Sequence, residues 1–318
     1  MIKIATLAAC VFYLLMLPAA QASDGFYVNP QSSAAQWVQH NPDTPATARI
    51  RSAIADVPSA LWLTGTSQAA DRLTDRVSRY VSAAASTDKI PILVAYYLPY
   101  RDCSGGASAG GAPTAAEYQT WIDHLINGIG DNPAVVILEP DALADMQCLG
   151  NDKRTERLTL LNYAVSGLKQ RAPHTDVYLD AGNPGWKSPG AMAEALNAAG
   201  VKQAHGFALN IANFYTLAQV RSYGDAINSR LLSEFSYTKA IAVDTSRNGN
   251  GAIPGDWCNP PGRRLGIAPQ VLSPQLVALW IKLPGNSDGG ASPKTDCHGG
   301  PTAGTFSAEL ALRLIEGN

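Results

Sequence analysis

The chain has 318 residues, 46% of them hydrophobic and 16% charged, with a formal net charge of −2. That is enough apolar material for a large core, and no charge run or compositional break divides it, so one large domain is expected. Lys and Arg are scattered rather than clustered, which argues against nucleic acid or a membrane surface as partner.

In chain order, Lys3, the apolar stretch 4–17 and Ala20-Gln21-Ala22 form the positive, apolar and small-x-small parts of an export signal. Residues 1–22 therefore read as a signal peptide and 23–318 as the mature domain, secreted to the periplasm or the medium. A lipid anchor on Cys10, within Leu7-Ala8-Ala9-Cys10, is disfavoured because few residues precede it and the apolar run continues past it. That run is also shorter than the roughly 20 apolar residues needed to span a bilayer, so no membrane association is expected after processing.

Seven apolar runs follow, at 60–63, 91–98, 134–138, 177–179, 206–209, 240–243 and 276–281. Each stops at or near a polar side chain: Thr64, Asp102, Glu139 with Asp141, Asp180, Asn210, Asp244 and Lys282. Helical segments lie between them. Leu73, Val77, Tyr80 and Val81 form one stripe within 69–85, and Thr114-Ala115-Ala116-Glu117 is a capping-box pattern opening a helix through Trp121, Ile122, Leu125 and Ile129. Further candidates are 155–170, 190–199, 217–234 and 306–315. The alternation predicts an α/β fold, a parallel, distorted TIM-like β/α barrel of seven or eight strands, seven being the number of runs. Such a barrel gathers all its strand C-termini on one face, where side chains distant in sequence meet.

Removing the signal leaves Cys103, Cys148, Cys258 and Cys297. An even number in an exported chain suggests two disulfides, and three pairings are open. Pairing Cys103 with Cys148 and Cys258 with Cys297 would staple loops on the polar face. No C-x-x-C occurs, and His40, His124, His174, His205 and His298 lack ligand spacing, so no metal is expected. The stretch 103–113 is rich in Gly, Ala and Ser and reads as a lid after Asp102. Its Gly106-Ala107-Ser108-Ala109-Gly110 matches G-x-S-x-G, but Ser108 lies in a loop well past the preceding apolar run, which is no nucleophile elbow.

Asp102, Asp141, Asp180, Asp244 and Asp288 all fall at or just after strand ends. Any one of them reads equally well as a helix cap or a surface residue; five together point to a site. Asp141 stands between the run Val135-Val136-Ile137-Leu138 and Ala142-Leu143-Ala144, and apolar surroundings keep a carboxyl protonated, as a general acid requires. Asp102 follows Arg101, which favours its ionised form. Two acids pushed apart in this way suit acetal cleavage. Most buried Trp and Tyr are core. Trp186 and Trp257, however, sit in Gly/Pro/Asn loop contexts where a sugar platform is the more natural role, and Trp62, Tyr96, Tyr97 and Trp280 lie on the strand ends themselves.

Tyr96-Tyr97-Leu98-Pro99-Tyr100-Arg101-Asp102-Cys103, Ile137-Leu138-Glu139-Pro140-Asp141-Ala142-Leu143, Leu179-Asp180-Ala181-Gly182, Asn210-Ile211-Ala212-Asn213, Gly255-Asp256-Trp257-Cys258-Asn259, and Trp280-Ile281-Lys282 with Ser287-Asp288-Gly289 occur in this order. Together they resemble glycoside hydrolase family 6, the cellulases, over nearly the whole mature chain. The resemblance implies a β-1,4-glucan substrate, inversion of configuration, and no metal or other cofactor. It implies Asp141 as the general acid, and Asp102 as the acid that raises its partner's proton affinity and assists the water. Tyr96 would crowd the sugar at the cleavage point, and Asp288 would be the carboxylate proposed as base. It gives substrate contacts to Lys282, Asp180 and Asn210, platforms to Trp62, Trp186 and Trp257, and a water-holding role to Ser108. Inversion calls for carboxyl groups roughly 6.5–9.5 Å apart unless a water chain relays the proton.

Two departures stand out. Asn286 occupies the position of a usual glutamate, which alters contacts near Lys282, and Asn183 replaces a common histidine. The compact stretch 282–297 suggests the open cleft of an endoglucanase, and no linker to a cellulose-binding module is seen, so weak action on crystalline cellulose is expected; the protein is also expected to be a monomer. The rival readings are an exo-acting cellobiohydrolase of the same family and a secreted glucan-binding protein without catalysis, which would keep the tryptophans and discard the acid.

Overall fold

A computed structural model describes residues 25–65, 70–104, 108–290 and 297–318. The expected signal, 1–22, lies outside them, as do Gly106 and Ala107 of the G-x-S-x-G match. Seven strands run parallel and neighbour one another in chain order: β1 (Leu61–Leu63), β2 (Ile92–Ala95), β3 (Ala134–Leu138), β4 (Thr175–Asp180), β5 (Gly206–Leu209), β6 (Ala240–Asp244) and, after a hairpin partner, β8 (Leu276–Leu279). They correspond one for one with the seven apolar runs. The eighth strand, β7 (Gln270–Ser273), pairs antiparallel with β8 at the edge of the sheet. Sequence reading misses β7 because it is no apolar run: Val271 is 63% exposed and the neighbouring side chains are only partly covered.

The continuous apolar runs have a physical cause. Val136 and Leu138 of β3 pack outward against helices, while Val135 and Ile137 point into the curl of the sheet. In β2, Leu93 and Ala95 alternate in the same way with Ile92 and Val94. A parallel sheet buried on both faces has no polar side to show. Among the described residues no ladder joins β1 to β8. Instead the Ala60 N–H meets the Trp280 carbonyl at 2.9 Å, and the Trp62 indole N–H meets the Ile281 carbonyl at 2.8 Å. The barrel is thus distorted and incompletely closed.

The helices begin with α1 (Ser33–His40) and α2 (Pro45–Ile50), the latter followed by a π-helical turn, Arg51–Ala55. Both are too short to show a long stripe and are not legible in the sequence. α3 (Ala70–Ala85), α4 (Ala115–Ile129), α5 (Asn151–Arg171), α6 (Pro189–Ala198) and α7 (Leu217–Phe235) return the chain between parallel strands. Thr114 caps α4 by accepting the Glu117 N–H at 3.2 Å, whereas the complete capping box is at Thr216 and Gln219 of α7. α8 (Ala308–Glu316) packs with α1, α2 and Leu283 in a separate apolar cluster. Disulfides join Cys103 to Cys148 and Cys258 to Cys297, across 45 and 39 residues. Loop closure of that length is worth about 4 kcal/mol for each bridge. Among the described residues, no helix is long and apolar enough to cross a membrane.

Candidate active site

Strand ends that must turn sharply adopt left-handed backbone; β1 and β4 do so on Gly65 and Gly182, but β2, β3 and β5 do so without glycine. Tyr100, Asp102, Glu139, Asp141, Asn210 and Ala212 have φ of 56°, 52°, 51°, 69°, 68° and 53°. Such residues cost on the order of 1 kcal/mol or more each and persist only where their surroundings hold them. All six lie just beyond the C-terminal ends of β2, β3 and β5.

Asp141 is half-buried, and its backbone N–H donates to Asp180 Oδ2 at 2.8 Å. Burial holds its carboxyl well above the usual carboxylate range, and the charges of Asp180, Asp102 and Asp145 add to the effect. The apolar neighbours had implied this direction; of the three acids, Asp145 lies four residues on in the same loop, and Asp102 and Asp180 come from other parts of the chain. Asp180 is 2% exposed and is itself pushed up to about 7 by burial, against the pull of the Asp141, Gly182 and Ala181 N–H groups. It is packed against the Asp141 main chain.

Asp102 faces the same space. A small pocket is lined by Asp102, Asp141, Arg101, Glu139, Leu98 and Arg157, among others. Asp102 Oδ2 accepts the Ser108 N–H at 2.9 Å, so Ser108 touches Asp102 through its backbone. Arg101 Nε donates to the Ser108 carbonyl at 2.8 Å, and its guanidinium stacks 4.2 Å above the Tyr96 ring. Tyr96 is buried edge-on against Trp62, with ring centroids 5.4 Å apart, and burial followed by the Asp141 charge raises its hydroxyl pKa. Glu139 is sealed below the rim, where the Tyr97 and Leu98 N–H groups each donate to Oε2 at 3.0 Å; burial nevertheless lifts it to about 7.

Asp288 has a different environment. Arg247, 3% exposed, grips it with two hydrogen bonds of 2.8 and 3.1 Å, Lys282 Nζ approaches Oδ1 at 3.0 Å, and the Asn259 N–H reaches Oδ2 at 3.1 Å. A carboxylate offers about four acceptor positions, and here all are taken. Burial pushes its pKa up, but Arg247 and Lys282 together overcome this and hold it below the ordinary range. Sequence reading passed over Arg247, although it follows the Asp244 strand end as Asp102 and Asp141 follow theirs.

Two strand-end polar groups are turned to the main chain. Asn210 is fully buried: its amide donates to the Tyr215 and Asp244 carbonyls at 3.2 and 2.9 Å and its oxygen accepts the Tyr215 N–H at 3.1 Å. It fixes the β5 exit. Asp244, flagged as a strand-end acid, accepts the Ala212 and Lys282 N–H groups at 3.0 and 2.9 Å and is equally closed off. Trp280 is core, with its indole N–H on the Ile267 carbonyl. Trp186 and Trp257 are 36% and 43% exposed, and Trp62 is half-buried. Of the unusual amides, Asn286 accepts the Ser33 hydroxyl of α1 at 2.9 Å and Asn183 accepts the Gly185 N–H at 3.0 Å.

A carboxyl raised by burial next to a second carboxylate is an arrangement able to break a glycosidic bond. The class so defined is that of the glycoside hydrolases. The sequence profile of glycosyl hydrolases family 6 matches residues 21–318, and the chain belongs to that family. It is 43% identical over 319 aligned residues to Endoglucanase 1 of Streptomyces halstedii, spanning 98% of this chain and 97% of that one. It is 41% identical to Endoglucanase A of Thermobispora bispora, over 86% of this chain and 59% of that longer protein. Among solved structures, the endoglucanase Cel6 of Mycobacterium tuberculosis, in complex with methyl-cellobiosyl-4-deoxy-4-thio-β-D-cellobioside, superposes with a TM-score of 0.83. That pair shares 38% identity over 93% of this chain and 97% of the other.

Proposed function

We propose that this protein hydrolyses internal β-1,4-glucosidic bonds of cellulose or a related β-glucan in a single inverting displacement, with Asp141 as the general acid. The observation that carries the reading is the Asp141 carboxyl, held protonated at the rim beside Asp102. Asp141 gives its proton to the glycosidic oxygen as the bond to the anomeric carbon breaks. A water attacks the opposite face of the sugar and passes its proton toward Asp102. Tyr96 packs against the sugar at the cleavage point and favours its distorted ring, while Ser108 supports Asp102 and the water. Asp288, whose acceptor positions are filled by Arg247, Lys282 and Asn259, acts by orienting Lys282 toward the glucan and not as the base. Trp186, Trp257 and Trp62 carry successive glucose rings. The names of the more similar relatives favour endo-action. Export as a monomer is part of the same proposal, consistent with two disulfides in an oxidising compartment.

Asp141→Ala tests the assignment: hydrolysis of cello-oligosaccharides falls by several orders of magnitude while binding persists, and unchanged turnover removes Asp141 as the acid. Viscometry on carboxymethylcellulose tests the endo mode. Rapid viscosity loss per reducing end is expected, and slow loss supports the exo-acting alternative.

A further inference from the structure

Arg157 of α5 is 3% exposed and forms no salt bridge among the described residues. Its guanidinium is spent on main-chain carbonyls of two different loops. Nη2 donates to Tyr100 O at 2.7 Å and Pro99 O at 3.4 Å, after β2; Nη1 donates to Ala142 O at 2.9 Å and Asp145 O at 3.2 Å, after β3. Tyr100 is two residues before Asp102, and Ala142 directly follows Asp141. Nε is buried without a partner. The same side chain lines the cavity on which both acids open.

We propose that Arg157 is a positioning residue for catalysis, a charged clamp that holds the Asp102 and Asp141 loops at a fixed spacing. The proposal rests on the reading of Asp141 as acid and Asp102 as its partner. Three observations carry it. The loops it joins contain four of the left-handed non-glycine residues, Tyr100, Asp102, Glu139 and Asp141, so their backbone must be held from outside. Burying a cation costs several kcal/mol, which Asp145 and Glu139 offset only through space and without a salt bridge, and apolar residues of similar volume commonly stabilise a fold as well or better, so bulk stability does not account for it. Finally, only a planar fork with five donors can span carbonyls on two separate loops; an ammonium on a flexible stem presents three donors at one point. The Cys103–Cys148 bridge ties the same loops at their outer edge, where Ser104 also donates to Asp145 Oδ1 at 2.6 Å. Arg157 is the tie on the inner side.

The test compares Arg157→Lys and Arg157→Ala with the parent in steady-state hydrolysis of a soluble cello-oligosaccharide, alongside Asp141→Ala. For Arg157→Lys, kcat is expected to fall about 10- to 100-fold, the range set by a misplacement near 1 Å, with KM within about twofold. The basic limb of the kcat–pH profile moves to lower pH, because an Asp141 further from Asp102 loses part of what raises it. Millimolar guanidinium partly restores kcat in Arg157→Ala but leaves Arg157→Lys unaffected. If Arg157→Ala does not fold, Arg157→Lys alone decides. A folded variant with parent-like kcat and an unmoved basic limb overturns the clamp, even if its melting temperature drops. Full activity in Asp141→Ala instead overturns the acid assignment itself, and the clamp with it.

Discussion

Asp288→Asn separates the orienting role from that of base. In the parent, the Asp288 carboxylate accepts two bonds from Arg247, one from Lys282 and one from the Asn259 N–H, all out of solvent. An amide oxygen keeps part of this set but neutralises neither cation. Removing one partner of a buried pair costs about 3–5 kcal/mol, because the surviving charge is left uncompensated. At about 2 °C per kcal/mol for a domain of this size, the melting temperature at pH 6 should fall by roughly 6–10 °C. The pH dependence supplies the sign. Asp288 has a depressed folded pKa, so its stabilisation is present above the unfolded value of about 4 and is lost as pH falls through the folded value. The gap between parent and variant should therefore be full at pH 6 and shrink below about pH 4. Calorimetric unfolding across that range measures it, together with kcat and KM at pH 6. A variant that melts like the parent but loses several orders of magnitude in kcat would refute the orienting role and return Asp288 to the position of base.

Other consequences follow from the same geometry. In Asp180→Asn, the oxygen that accepts the Asp141 N–H is retained but its charge is gone, so Asp141 loses one of the acids that raise it. The basic limb of the activity profile should move toward acid, and an unmoved limb contradicts the coupling. Trp257→Ala removes a ring that is 43% exposed and carries little of the core, so folding is unaffected while KM for cellotetraose rises about 10-fold. Asn210→Ala, by contrast, abandons three buried main-chain bonds and should lower stability by about 2–4 kcal/mol, seen as lost folded yield.

The strands were legible because burial on both faces of a parallel sheet writes itself as unbroken apolar runs, as in Ala134–Leu138. β7 was not, since its side chains stay largely exposed and it sits at the edge of the sheet, paired with β8. Among site residues, Asp141 could be read locally because the groups flanking it in sequence also surround it in space. Asn210 could not: a strand-end amide can face a ligand or close a loop, and which one depends on where the Tyr215 and Asp244 backbones pass. Arg157 and Arg247 were missed for the same reason. Arg157 is an unremarkable helical arginine in sequence and Arg247 carries only its place after a strand end; the meaning of each comes from carbonyls or a carboxylate contributed from other stretches of chain.

The central claim, proton donation by Asp141, is tested most directly by leaving-group dependence. Asp141→Ala should be severely impaired on a cello-oligosaccharide, whose departing alkoxide needs a proton, yet retain much of its kcat on a dinitrophenyl cellooligosaccharide, whose leaving group departs unaided. Equal loss on both substrates, or equal activity on both, contradicts it.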